Sequence, residues 1–75
     1  MSRREMRELA ADREKSAARS ARNAESARVA ANDPTLSENM RRQAAATVPI
    51  ALRHAQEYRE EAAAYREGRI PGEDW

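Results

Sequence analysis

His54 and Glu57 are the residues of this chain whose types and spacing come closest to a chemical site. They are three positions apart, so a helix would place both on one face, as in the metal-binding pairs of di-iron helical bundles. Those bundles place the carboxylate before the histidine and add further glutamates. This chain has one histidine and no cysteine, so we predict that His54 makes a helix-surface contact with Glu57 or Tyr58, and we predict no metal, cofactor or catalytic activity.

A second group of side chains could bind phosphate. Lys15, Arg19 and Arg22 recur at helical spacing, and Arg41 and Arg42 follow later in the chain. Clustered basic side chains contact nucleic-acid phosphates, and they could equally contact an acidic protein. Acidic residues are interleaved with them, the formal net charge is +1, and no aromatic residue accompanies them to stack on bases. Nucleic-acid binding is therefore the alternative hypothesis, and a solvated face is the simpler interpretation.

The residues from 3 to 31 are predicted to form the first helix. This stretch contains no glycine or proline, and most of its residues favour helix. Alanines recur every seven residues, at Ala10, Ala17, Ala24 and Ala31. The spacing predicts a stripe of small residues along which another helix can pack closely.

A turn is predicted at residues 32–34. Asn32 suits the left-handed position after a helix, and the residue before Pro34 is disfavoured in helical geometry. Thr35 and Glu38 have the spacing of a capping box, in which a hydroxyl and a carboxylate each accept a backbone hydrogen bond. The second helix is therefore predicted to begin near residue 35.

The second helix is predicted over about 35–67, where small and apolar residues recur in steps of three and four. Gly68 suits the position that follows a helix. Pro49 lies inside this helix, where it removes a hydrogen bond at a cost of about 3 kcal/mol. We predict a kink near Pro49; the alternative is a break at 46–48, with Thr47 capping a third helix.

The short turn makes the two helices antiparallel neighbours. The two stripes coincide if the numbers of facing residues sum to about 68, which pairs Ala17 with Ala51 and Ala10 with Tyr58. The predicted fold is therefore an all-α antiparallel helical hairpin, with larger side chains toward its open end. Two such hairpins could pair into a four-helix bundle.

The run AAATVPIAL, from Ala44 to Leu52, is the longest uncharged apolar stretch of the chain. Ala44, Val48 and Ala51 of this run are predicted to face the first helix, which leaves Ile50 on one flank and Leu52 on the other. Exposed aliphatic side chains of this kind usually mark an interface. The predicted partner interface consists of Val48, Ile50, Leu52, His54 and the terminal Trp75. A second copy in a homodimer or a larger protein would cover it.

The length of 75 residues allows one domain with a thin core, since most of the 40% hydrophobic content is alanine. We expect residues 1–68 to form this domain and residues 69–75 an irregular tail. No apolar run is long enough for a membrane span, and the N-terminus lacks a signal peptide's apolar centre, so a cytoplasmic protein is expected. The sequence predicts a non-catalytic protein interaction module, such as a small adaptor or an inhibitor encoded by a mobile element.

Overall fold

Two long helices form the whole of the regular structure in the computed structural model, which describes residues 1–72. Helix α1 spans Arg3–Ala31 and helix α2 spans Glu38–Arg66, and each contains 29 residues. They pack against each other as an antiparallel hairpin that measures 50 × 21 × 12 Å. The predicted all-α hairpin is confirmed. Pairing of two hairpins into a four-helix bundle stays a prediction.

Both ends of α1 are capped by side chains. Ser2 Oγ accepts a hydrogen bond from the Glu5 N–H at 3.1 Å, and the Glu5 carboxylate accepts one from the Ser2 N–H at 3.3 Å. Hydrogen bonding of the Glu5 carboxylate to the side chain and the backbone N–H of Ser2 lowers the pKa of Glu5. At the other end the predicted left-handed conformation of Asn32 is wrong, since its φ is −108°. Asn32 Nδ2 instead donates to the carbonyl of Arg28 at 3.0 Å, which satisfies a group that lacks a helical donor.

The turn between the helices is longer than predicted, and the capping box predicted at Thr35 is wrong. The backbone N–H and the hydroxyl of Thr35 both donate to Asp33 Oδ1, at 2.9 and 2.6 Å. These two bonds form a turn that places Thr35 outside the helix, so Thr35 does not cap it. Ser37 takes that role by accepting a hydrogen bond from the Met40 N–H at 3.1 Å, so α2 begins at Glu38.

Helix α2 runs through Pro49 without interruption, and the alternative break at 46–48 is wrong. Thr47 does not cap a new helix; its hydroxyl donates to the carbonyl of Gln43 at 3.0 Å. Pro49 and Ala45 are both exposed. The carbonyl of Ala45 loses its helical donor to the proline ring, and exposure allows water to replace that donor.

The core between the helices consists of alanine. Six buried residues line the contact and are called the alanine seam here: Ala10, Ala17 and Ala24 of α1, and Ala51, Ala55 and Ala62 of α2. No larger side chain among residues 1–72 is fully buried. A buried methyl contributes only about 0.8 kcal/mol, so the seam permits close approach and contributes little hydrophobic stability.

The helices are displaced along their axes relative to the predicted register. Arg13 forms an ion pair with Glu61 at 2.9 Å, and Arg66 forms one with Glu14 at 2.6 Å. The residue numbers of these pairs sum to 74 and 80, above the predicted 68. Both ion pairs therefore join α1 to residues farther along α2 than the predicted register does. In the observed register both interhelical ion pairs can form. The predicted register was based on small residues alone and took no account of charged side chains.

After Arg66, the last residue of α2, the chain turns back toward this helix. Gly68 has a φ of +79°, as predicted for the residue after the helix. Its N–H donates to the carbonyl of Tyr65 at 3.1 Å, and the N–H of Arg69 donates to the carbonyl of Ala64 at 2.8 Å, which together form a Schellman motif. Ala64 lies two positions beyond Ala62, on the side away from the seam, yet it is buried. The returning segment is therefore what covers it.

Candidate interaction surface

An uncharged surface lies on the side of α2 that faces away from α1. Successive residues of a helix are about 100° apart, and Ala51 faces α1, so Ile50 and Leu52 project about 100° to either side of it. Ala45, Ala46 and Pro49 occupy the arc between them on the far side. All five are exposed. We call this surface, formed by Ala45, Ala46, Pro49, Ile50 and Leu52, the outer patch.

The two aliphatic side chains of the outer patch are far from buried. Ile50 is 49% exposed and Leu52 is 53% exposed. They frame a floor made of two alanines and a proline ring, and charged residues begin only at Arg42 on one side and Arg53 on the other. The patch is therefore flat at its centre, raised at its two edges, and able to accept a close partner.

The remaining residues of the predicted interface have other positions. Val48 is half-buried and points toward α1, beside the seam. Trp75 lies outside the described residues. His54 is exposed and forms no hydrogen bond or ion pair with Glu57 or Tyr58 in the described part of the chain; Glu57 pairs with Arg53 at 3.8 Å. Within residues 1–72 no cluster of three potential metal ligands occurs. Neither described helix is long and apolar enough to cross a membrane.

The predicted phosphate contacts separate into two groups. Lys15 and Arg19 are each two positions from the buried Ala17, so they point away from α2, and Arg22 continues the same line. We call Lys15, Arg19 and Arg22 the cation stripe. All three are exposed and lack an ion-pair partner among the described residues.

The two arginines after the turn have local partners instead. Arg41 Nη1 donates to the carbonyl of Leu36 at 2.6 Å and to that of Asp33 at 3.4 Å, so it holds the turn together. Arg42 pairs with Glu38 at 3.6 Å across one turn of α2, and both side chains are more than 70% exposed. Such a pair is weak and can exchange partners.

The open end of the hairpin contains a cleft of about 390 Å³. Met6 and Tyr65 line it where the seam would otherwise continue, together with Arg3, Arg7 and Arg66. Met6 and Tyr65 are larger side chains at this end, as the sequence predicts. Arg66 is already paired with Glu14, and the cleft is open to solvent, so it does not form an enclosed ligand site.

Three members of the outer patch were missed by sequence reasoning. Ile50 and Leu52 are exposed on opposite flanks, as predicted, but the residues between them were not recognised. Its signal is present in the sequence: Ala45, Ala46 and Pro49 are uncharged and fall on the arc opposite Ala51. Comparison of the chain with protein-family models, with curated proteins and with solved structures gives no match.

Proposed function

We propose that this protein is a non-catalytic interaction module that binds another protein chain through the outer patch. The observation that carries this proposal is the distribution of apolar side chains: the seam buries only alanine, whereas Ile50 and Leu52 are about half exposed. Burying an Ile or Leu side chain completely contributes about 1.5 to 3 kcal/mol. Covering the exposed halves of these two would thus contribute about 2 kcal/mol in total.

The outer patch differs from isolated exposed apolar residues because its members are neighbours on the helix surface. Single exposed aliphatic residues are common and need no explanation. Val29 and Met40, which are also about half exposed, are of this kind, since they lie near the turn and away from the patch. The outer patch instead places two large side chains around a floor without charge. A partner helix that packs on the outer patch would remove this apolar surface from water.

Site-specific photo-crosslinking in the cell of origin tests this proposal. A benzophenone amino acid at position 50 or 52 should give covalent adducts with a second protein chain. The same group at Ser26, an exposed residue on the far side of α1, is the control and should give none. Equal adducts from all three positions, or none from positions 50 and 52, would contradict the proposal.

Nucleic-acid binding through the cation stripe is the second candidate function. The observation in its favour is that Lys15, Arg19 and Arg22 form one exposed line without ion-pair partners among residues 1–72. Three phosphate contacts predict that the logarithm of the affinity falls by about 2.7 per tenfold rise in salt. Neighbouring acids reduce the field of the stripe, which is why this function ranks second.

A titration by fluorescence anisotropy tests the second candidate. Labelled duplex and single-stranded oligonucleotides are titrated at about 50 and 200 mM salt, the range over which phosphate contacts weaken. Replacing Lys15, Arg19 and Arg22 by glutamine should abolish binding, whereas replacing Arg53 and Arg59 on α2 should preserve it. Absence of binding at the lower salt concentration would exclude this function.

A further inference from the structure

We infer that the occupant of the outer patch is a second copy of this chain, placed antiparallel so that α2 packs against its symmetry mate. This inference rests on the proposed function and specifies its partner. It is carried by the positions of Arg42 and Glu60, which lie nine residues before and nine residues after Ala51. Nine residues are two and a half turns of helix, so both side chains project directly away from the seam, on the axis of the outer patch.

A two-fold axis at the level of Ala51 makes these charges complementary. Antiparallel pairing places Arg42 of each copy opposite Glu60 of the other, which forms two attractive pairs. Parallel pairing would place Arg42 opposite Arg42 and Glu60 opposite Glu60. Both side chains are available, since Arg42 has only its weak pair with Glu38, and Glu60 accepts one hydrogen bond from Gln56 at 3.2 Å.

The apolar residues obey the same symmetry. Ile50 and Leu52 lie one position before and one after Ala51, so the axis brings Ile50 of both copies together on one edge and Leu52 of both copies together on the other. Ala46 and Pro49 form the floor between these edges and permit close approach. Arg53 is the one charged residue near the centre. The axis brings Arg53 of both copies onto the contact face, about 6 Å apart along the helices, and each is paired with Glu57 of its own chain.

The resulting dimer is a row of four helices and not a square bundle. Helix α1 lies on the far side of α2 in each copy, so the order across the dimer is α1, α2, α2 and α1. A single helix pair buries a small interface, of the size found in transient complexes. We therefore expect weak, reversible dimerisation. The cation stripe stays exposed on both outer surfaces.

Analytical ultracentrifugation of charge-reversed variants tests the inference. The wild-type chain should dimerise between about 1 µM and 1 mM. Arg42→Glu and Glu60→Arg should each weaken the dimer about tenfold, since each replaces two attractive pairs with two repulsive ones. The double variant, and an equimolar mixture of the two single variants, should restore it. Circular dichroism should show that every variant stays helical.

Cysteine crosslinking determines the relative orientation of the two chains. The chain has no cysteine of its own, so every disulfide must come from the introduced residues. A mixture of Arg42→Cys and Glu60→Cys chains should form a mixed disulfide. Arg42→Cys alone should not crosslink, since antiparallel pairing separates the two sulfurs by about 27 Å. Rapid crosslinking of Arg42→Cys alone, or insensitivity of the dimer to both charge reversals, would overturn the inferred pairing. A wild-type chain that stays monomeric would overturn it too, while adducts from position 50 to a different protein would leave the proposed function standing.

Discussion

Replacing Pro49 with alanine should stabilise the hairpin, because this proline lies inside an otherwise continuous helix. Proline in a helix interior is about 3 kcal/mol less favourable than alanine. The alanine variant restores the N–H that can donate to the carbonyl of Ala45. Two effects reduce the gain. Water already reaches this carbonyl, since Ala45 is exposed, and losing a proline increases the entropy of the unfolded chain by about 0.4 to 1 kcal/mol.

The expected net stabilisation is about 2 kcal/mol. In a domain of this size each kcal/mol raises the melting temperature by about 4 to 8 °C. The variant should therefore melt about 8 to 16 °C higher than the wild-type protein. Far-UV circular dichroism measures this directly. The melts must be recorded at a concentration where both chains are monomeric, since Pro49 is also part of the outer patch and its replacement can alter association.

Pro34→Ala provides the matched control. Pro34 lies in the turn and outside both helices, so its replacement restores no helical hydrogen bond and should destabilise the protein by at most about 1 kcal/mol. The two substitutions are identical in chemistry and opposite in predicted sign. An unchanged or lowered melting temperature for monomeric Pro49→Ala would refute the reasoning, because it would mean that the proline costs α2 nothing in this position.

Three further predictions concern the seam, the C-terminal cap and the turn. Ala55→Leu should destabilise the hairpin by about 1 to 3 kcal/mol in urea unfolding, because Ala55 is fully buried between the helices; Ala63→Leu, on an exposed face, should change it little. Gly68→Ala should cost about 1 to 2 kcal/mol in the same measurement, since its φ of +79° disfavours a side chain even where there is room for one. The hydrogen bonds from Thr35 lower the pKa of Asp33 from its ordinary value of 3.8. That carboxylate therefore stabilises the fold above about pH 4 and less as the pH falls through its lowered pKa, so melting temperatures measured below pH 4 should fall less in Asp33→Asn than in the wild-type protein.

The helices and their contact stripe could be predicted because both depend on local sequence. Alanines spaced seven apart in α1 share a face by the geometry of the helix alone, and the structure buries Ala10, Ala17 and Ala24 as expected. Gly68 was predictable for a similar reason, since one backbone conformation favours one residue type. These features need no knowledge of the rest of the fold.

The turn and the register were less predictable because they depend on competition between side chains. Thr35 matches a capping pattern, but its backbone N–H and hydroxyl both donate to Asp33, which forms a turn before the helix begins. The register depends on long side chains such as Arg13 and Arg66, whose interhelical partners are 48 and 52 residues away in sequence. A pattern of small residues is compatible with several alignments one turn apart, and it cannot choose among them.

The alanine seam and the outer patch have one physical origin. A seam of methyl groups brings two helices close together, and a close pair leaves no interior in which a large side chain could be buried. The few large aliphatic residues of the middle of α2 must then lie at the edges of the contact or beyond it, as Ile50 and Leu52 do. A hairpin built on alanine thus displays its larger apolar residues on the outside. Covering them requires another chain, so the narrow core that limits the stability of this protein also produces its candidate binding surface.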